Sequence, residues 1–219
     1  MKKNSINHKI FFSVVLTTFN REHILQNAIN SVINQIFENW ELIIVDDGST
    51  DKTYENVVKN YLNKDSRIKY IYQTNQKQAR AKNNGIRNSF GKYITFLDSD
   101  DIYLENHLMT RYYLLKNETI DLLHGGIRII GEEYVPSIYD LNSKIHLSEC
   151  IIGGTFFIKK SVFDKVGYLE NINYGDDTSF FMKCLKNHLS IGKTNFKTYI
   201  YNRNSIDSIC NNIVNNENY

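Results

Sequence analysis

A chain of 219 residues with 42% hydrophobic and 23% charged side chains is long enough for a sizeable core and ordinary for a globular protein. Its net charge of +2 is too small to argue for nucleic acid; it permits, without requiring, a basic face toward an anionic membrane. The three cysteines, Cys150, Cys184 and Cys210, stand far apart with no CxxC pair, which speaks against a disulfide framework or zinc site and for a reducing compartment.

The N-terminus up to Lys9 is polar, and no run approaches the roughly 18 apolar residues of a membrane span, so a cytoplasmic location is expected. Residues 11–16 form an apolar run that predicts a first strand, and Thr17-Thr-Phe-Asn-Arg21 turns out of it. Apolar residues at Ile24, Leu25, Ala28, Ile29, Val32, Ile33 and Ile36 keep a helical period over 22–36. Residues 40–45 predict a second strand that closes in Asp46-Asp47-Gly48-Ser49-Thr50. A helix is expected over 51–62, a third strand over 68–72, and a helix over 78–90 with Gly91 as its C-terminal stop. A strand over 93–97 runs into Asp98-Ser99-Asp100-Asp101, and a helix from about 104 to 115 follows.

The first half thus alternates strand and helix, which argues for a parallel sheet flanked by helices. Right-handed crossovers place the loops holding residues 18–21, Asp46-Asp47 and Asp98 to Asp101 on one sheet edge, a nucleotide-sized site. Clustered carboxylates after a buried strand suit a hard divalent cation such as Mg²⁺ or Mn²⁺. By themselves they equally suit an acidic turn that caps the next helix.

The second half is less regular. Residues 120–130 predict one or two strands broken at Gly125-Gly126, and 131–147 an irregular excursion around Pro136. A strand is expected over 153–159, then a short helix over 161–166 ended by Gly167. Gly175-Asp176-Asp177 precedes a helix with Phe180, Phe181, Cys184 and Leu185 on its apolar side, and 196–201 make a last strand. The asparagine-rich tail from Asn211 is expected to fray. No linker or repeat divides the chain, so one domain is expected: a nucleotide half over about 11–115, an acceptor half over about 116–205, and a tail.

Val14-Val-Leu-Thr-Thr-Phe-Asn-Arg21, Glu41-Leu-Ile-Ile-Val-Asp-Asp-Gly-Ser-Thr-Asp51, Gly91 to Asp101 and Gly175-Asp-Asp-Thr-Ser-Phe-Phe181 together resemble a family 2 glycosyltransferase of the GT-A fold. That fold is α/β and Rossmann-like: a mostly parallel sheet flanked by helices, with a less regular acceptor-side C-terminal half. The resemblance implies an inverting transfer from a UDP-sugar donor, assisted by Mn²⁺ or Mg²⁺, to a glycan, glycolipid or protein-linked acceptor. It places Thr18, Phe19, Asn20 and Arg21 at the donor, with Phe19 stacked on the uracil. Asp47 would meet the base N–H, and Asp46 would order the turn. Asp98 would lie by the ribose with Ser99 beside it, and Asp100 would bind the metal. Asp101 is expected to cap the following helix. Asp177 aligns with the catalytic base, although either acid there also suits a helix cap.

The chain departs from the family pattern in three places. Lys82 stands in an Ala-Lys-Asn-Asn-Gly sequence where arginine is usual, leaving a point charge for a phosphate instead of a bidentate fork, with Arg80 one turn away. Lys77 occupies the place of a loop glycine. No histidine precedes Ser205-Ile206, where Arg203 could meet a phosphate instead. His107, His124, His146 and His188 show no paired spacing and read as structural or exposed. Two other readings are open: a nucleotide-sugar-binding partner of another transferase, and a nucleotidyltransferase, whose glycine-rich loop is absent from residues 17–21. A polysaccharide-building enzyme at the inner face of the membrane is the expectation; sugar, acceptor and oligomeric state stay open.

Overall fold

The computed structural model describes residues 9–140, 142–172 and 174–204. Cys210 and the tail expected to fray lie outside these residues. Strand β1 (Phe12–Thr18) is buried along its whole length. Helix α1 (Leu25–Ile33) leads to β2 (Trp40–Asp46), equally buried. A π-helical turn over Thr53–Val58 runs into α2 (Lys59–Leu62), then β3 (Ile68–Tyr72), α3 (Gln78–Arg87) and β4 (Tyr93–Asp98). After β5 (Ile102–Tyr103) come α4 (His107–Leu115), β6 (Leu122–His124), β7 (Ile127–Ile130), β8 (Tyr134–Pro136) and β9 (Lys144–His146). The chain continues through β10 (Phe157–Lys159), α5 (Val162–Val166), α6 (Asp176–Lys186), β11 (Ile191–Lys193) and β12 (Tyr199–Asn202).

Seven strands form one sheet in the order β11-β6-β10-β4-β1-β2-β3. Parallel pairing joins β4, β1, β2 and β3, with β10 antiparallel between β4 and β6. Side chains alternate across β1: Val14 and Leu16 pack with Ala28, Ile29 and Leu108 on one face, while Val15 packs with Ala79, Ala81 and Ile86 on the other. Each fully buried valine, leucine or isoleucine among them contributes about 1.5–3 kcal/mol relative to exposure. The continuous Val/Ile/Leu runs of β1 and β2 follow from having helices on both sides.

Several expectations need correcting. The first helix is shorter than its apolar period suggested: Arg21 carbonyl accepts from the N–H of Ile24 and Leu25, so residues 21–24 form a turn, and Ile36 is left exposed. Gly91 does not stop α3, which ends at Arg87. It sits where β4 approaches β1, its N–H donating to Ser13 Oγ over 2.7 Å, and a Cβ there would stand 2.5 Å from the Ser13 nitrogen. Residues 153–155 form a 3-10 turn, not the start of a strand. The excursion over 131–147 contains an antiparallel hairpin of β8 and β9. Leu185 is exposed, because only Phe180 and Cys184 of α6 are fully covered. Short β5 and β11 carry too little pattern to be read from sequence; β5 is recognisable only because it pairs with β12.

Candidate active site

Because β1, β2 and β4 are parallel and in register, Thr17 lies opposite Val45 on one side and Asp98 on the other. Their C-terminal ends therefore open at one edge, where open α/β sheets place ligands. A cleft of about 530 Å³ occupies that edge. Thr18, Phe19, Arg21, Asp47, Lys82, Asp98, Ser99, Asp100 and Asp177 all line it. Asn20 does not: its Oδ1 accepts from the backbone of Thr50 (2.7 Å) and Asp51 (3.3 Å), so it stitches the β1 loop to the β2 loop.

Phe19 is 45% exposed, an apolar ring open to the cleft. In the same cleft Asp47 Oδ1 accepts from Gln73 Nε2 (2.7 Å) and the Gln76 N–H (2.9 Å). Burial outweighs those hydrogen bonds and raises the Asp47 pKa above the usual aspartate value. Asp46 orders its turn, its Oδ1 accepting from the Ser49 N–H (2.8 Å) and Oδ2 from Tyr70 hydroxyl (2.9 Å). Asp98 Oδ1 accepts from Gln78 Nε2 at 2.9 Å and lies 3.4 Å from Lys82 Nζ. Burial alone would depress the Lys82 pKa, but the charges of Asp98, Asp176 and Asp177 outweigh it and raise it above the ordinary lysine value. Arg80 is exposed and stands off the lining.

Asp101 caps no helix. Its buried carboxylate accepts from Tyr199 hydroxyl at 2.6 Å and from the Asn202 N–H at 2.8 Å, pinning β12 beside the Asp98–Asp100 loop. Burial, with the charges of Asp100 and Asp98, raises its pKa well above the aspartate range. Asp177, in the first turn of α6, accepts at Oδ2 from the Gly153 N–H (2.9 Å) and at Oδ1 from the Thr178 N–H (2.7 Å). Burial and neighbouring Asp176 push its pKa up to about 6 against the opposing pull of Gly153 and Lys82.

Sequence reasoning missed the residues that hold this site. Gln73, Gln76 and Gln78 fix Asp47 and Asp98, and Gly153 fixes Asp177, but amides and glycines in loops carry no pattern of their own. The hairpin adds Val135, Pro136, Ile138, Tyr139 and Ile145 to the lining, giving the side of the cleft near Asp177 an apolar wall.

The family model for "Glycosyl transferase family 2" matches residues 13–183. The chain belongs to glycosyl transferase family 2. Among relatives of this family, a Haemophilus influenzae "Uncharacterized glycosyltransferase" is 33% identical over 180 residues, covering 80% of this chain and 71% of the relative. A Campylobacter jejuni GalNAc(5)-diNAcBac-PP-undecaprenol beta-1,3-glucosyltransferase is 33% identical over 186 residues, 80% of this chain and 59% of that protein. An Escherichia coli UDP-Glc:alpha-D-GlcNAc-diphosphoundecaprenol beta-1,3-glucosyltransferase is 33% identical over 146 residues, 64% of this chain and 56% of that protein. The fold matches S. aureus TarS 1-349 in complex with UDP-GlcNAc at a TM-score of 0.76 and 20% identity, over 95% of this chain and 61% of that one. The chain spans only part of its curated relatives, 71% of the one from Haemophilus influenzae and 26% of one from Rickettsia bellii. As a family 2 glycosyltransferase it has the α/β architecture of the GT-A fold, with a mostly parallel sheet flanked by helices. Among the described residues no helix is long and apolar enough to cross a membrane.

Proposed function

We propose that this glycosyltransferase moves a sugar from a UDP-activated donor to an acceptor hydroxyl, with inversion at the anomeric carbon and Asp177 as base. The observation that carries this reading is the position of Asp177, whose carboxylate lines the same cleft as Phe19, Asp47 and the Asp98-Ser-Asp100 loop. With a pKa of about 6, it is mostly ionised at neutral pH yet basic enough to take a proton. In the proposed step the acceptor oxygen attacks the anomeric carbon and gives its proton to Asp177. The bond from that carbon to the diphosphate breaks on the opposite side, and UDP leaves with the electron pair. Phe19 offers its face to the uracil, Asp47 an acceptor to the base N–H, and Lys82 a charge to the diphosphate. Thr18, Arg21, Asp98 and Ser99 complete the donor wall, with Asn20 bracing the loop from behind.

Among the described residues no three His, Cys, Asp or Glu side chains converge into a metal cage. Asp100, beside Asp98, offers hard oxygen donors at the cleft, which fits a Mg²⁺ or Mn²⁺ ion that takes its remaining ligands from substrate phosphate and water. Asp100 would hold such an ion, which would supply charge neutralisation at the departing diphosphate. A Pyrobaculum calidifontis mannosyltransferase in complex with GDP-Man and Mn²⁺ shares the fold (TM-score 0.71, 16% identity).

The acceptor is read as a lipid-linked glycan met at the inner face of the membrane. Support comes from the undecaprenol-linked acceptors in the names of the two bacterial relatives and from the apolar wall beside Asp177. The test is UDP release from a panel of UDP-sugars, with Mn²⁺ or with EDTA. Metal-dependent turnover of one donor, lost in Asp100→Ala and Asp177→Ala, is expected. UDP binding without turnover of any donor, even with lipid-linked acceptors, would instead favour a non-catalytic nucleotide-sugar-binding partner of another transferase.

A further inference from the structure

We propose that the Gly153–Gly154 turn is a positioning element that holds Asp177 at a set place relative to the Asp98-Ser-Asp100 loop, each glycine answering for one side. The inference rests on the reading of Asp177 as base and adds the part of the fold that aims it.

Gly153, Gly154 and Thr155 are buried in a single 3-10 turn. On one side the Gly153 N–H donates to Asp177 Oδ2 over 2.9 Å, and a Cβ on Gly153 would stand 2.8 Å from Asp177 Cβ. On the other side, a Cβ on Gly154 would overlap the Tyr199 hydroxyl. That hydroxyl donates to Asp101 Oδ2 over 2.6 Å, and the Asp101 N–H in turn donates to Asp98 carbonyl over 3.0 Å, closing the loop that presents Ser99 and Asp100. Thr155 Oγ1 donates to Ile152 carbonyl (2.7 Å) and accepts from the Gly125 N–H (3.0 Å), tying the turn to the break between β6 and β7. Helix α6 and strand β12 therefore press on adjacent residues of one anchored turn, and neither contact leaves room for a side chain. Asp177 feels Asp176 from its own helix and Lys82 from α3; the turn itself contributes an N–H and no ionisable group.

The two glycines then have separable effects. In Gly153→Ala the Asp177 carboxylate is displaced from its donor, so its titration midpoint, followed by NMR with ¹³C-labelled aspartate, moves up from about 6. UDP release falls roughly tenfold to a hundredfold while the Kd for Mn²⁺–UDP stays within about twofold, as expected when a reacting group is misplaced and the donor site is not. In Gly154→Ala the midpoint stays, and Mn²⁺–UDP binding weakens about tenfold because Tyr199, Asp101 and the metal loop shift together. Equal changes of both readouts in both variants, or an unmoved midpoint in Gly153→Ala, would overturn the proposal.

Should a variant fail to fold, the wild type supplies the same test: the Gly153 amide resonance must move with the Asp177 titration, and an amide blind to it overturns the assignment. The base reading fails separately, if Asp177→Asn retains turnover while the Gly153 amide of the wild type follows the Asp177 titration.

Discussion

Lys82 Nζ lies 3.4 Å from Asp98 Oδ1, and the same ammonium feels the charges of Asp176 and Asp177. One buried cation thus couples the loop after β4 to the first turn of α6. It favours the ionised form of Asp177, which burial disfavours. Removing it must therefore raise the Asp177 pKa further. In Lys82→Met the rising limb of kcat/KM against pH shifts to higher pH and donor affinity falls, because a phosphate loses its counter-charge. In Lys82→Arg the limb stays near that of the wild type. A Lys82→Met limb at the wild-type position would break the coupling.

The wild-type enzyme is expected to gain activity as pH rises through about 6 and to level off above, since a base works only when ionised. Asp177→Asn should lower kcat by about 10²–10⁴. The same change should raise thermal stability at neutral pH. The folded-state pKa of about 6 lies above the ordinary 3.8, so the folded chain holds this proton more tightly. Stability from this group is then fully present below about pH 4 and is lost as pH rises to about 6. Melting curves of both proteins should coincide at acid pH and separate at neutral pH, with the variant higher.

Lys77 sits at φ 73° and ψ 163°, backbone that is almost confined to glycine, just before α3. Holding a lysine there costs about 1–3 kcal/mol, partly offset by the greater chain entropy a glycine would lose, about 0.4–1 kcal/mol. Lys77→Gly should therefore stabilise the fold by about 1 kcal/mol and raise the Tm by a few degrees. A lower Tm would mean that the lysine side chain contributes more than the strain costs.

Arg111 is fully buried and donates to Gly125 carbonyl (3.0 Å), Phe196 carbonyl (3.1 Å) and Thr198 Oγ1 (2.5 Å). It ties α4 to the break between β6 and β7 and to the approach to β12. Arg111→Met removes the donors: the Phe196 carbonyl keeps the Thr198 N–H (2.8 Å), while the Gly125 carbonyl loses its Arg111 donor, at a cost of about 1–3 kcal/mol. The urea midpoint should fall by an amount corresponding to about 1–3 kcal/mol, with UDP affinity lost only where unfolding sets in.

The strand–helix alternation through β4 was readable because each element carries its own signal within a few residues: unbroken Val/Ile/Leu runs for β1, β2 and β4, a helical period for α1 and α3. Ile68–Tyr72 matches its expected bounds, and the break at Gly125-Gly126 separates β6 from β7 as expected, with both glycines at positive φ. The sequence also placed three loops at one edge, because parallel strands joined by right-handed crossovers leave no other arrangement. It could not show which acids of those loops face the cleft. Asp101 and Asp100 are neighbours in chain and alike in chemistry. Only the approach of Tyr199, 98 residues away, makes one a buried anchor.

The sequence alone therefore determined the family, the parallel half of the sheet and the loops that form the cleft, since local periodicity and short motifs carry that information. Tertiary structure alone decided the antiparallel insertion of β10 between β4 and β6, the apolar hairpin wall, and the seating of Asp177 against a backbone N–H 24 residues earlier. Those features arise from contacts between segments distant in sequence, made by glycine, amide and backbone groups. Their role depends on what packs against them and not on what flanks them in the chain.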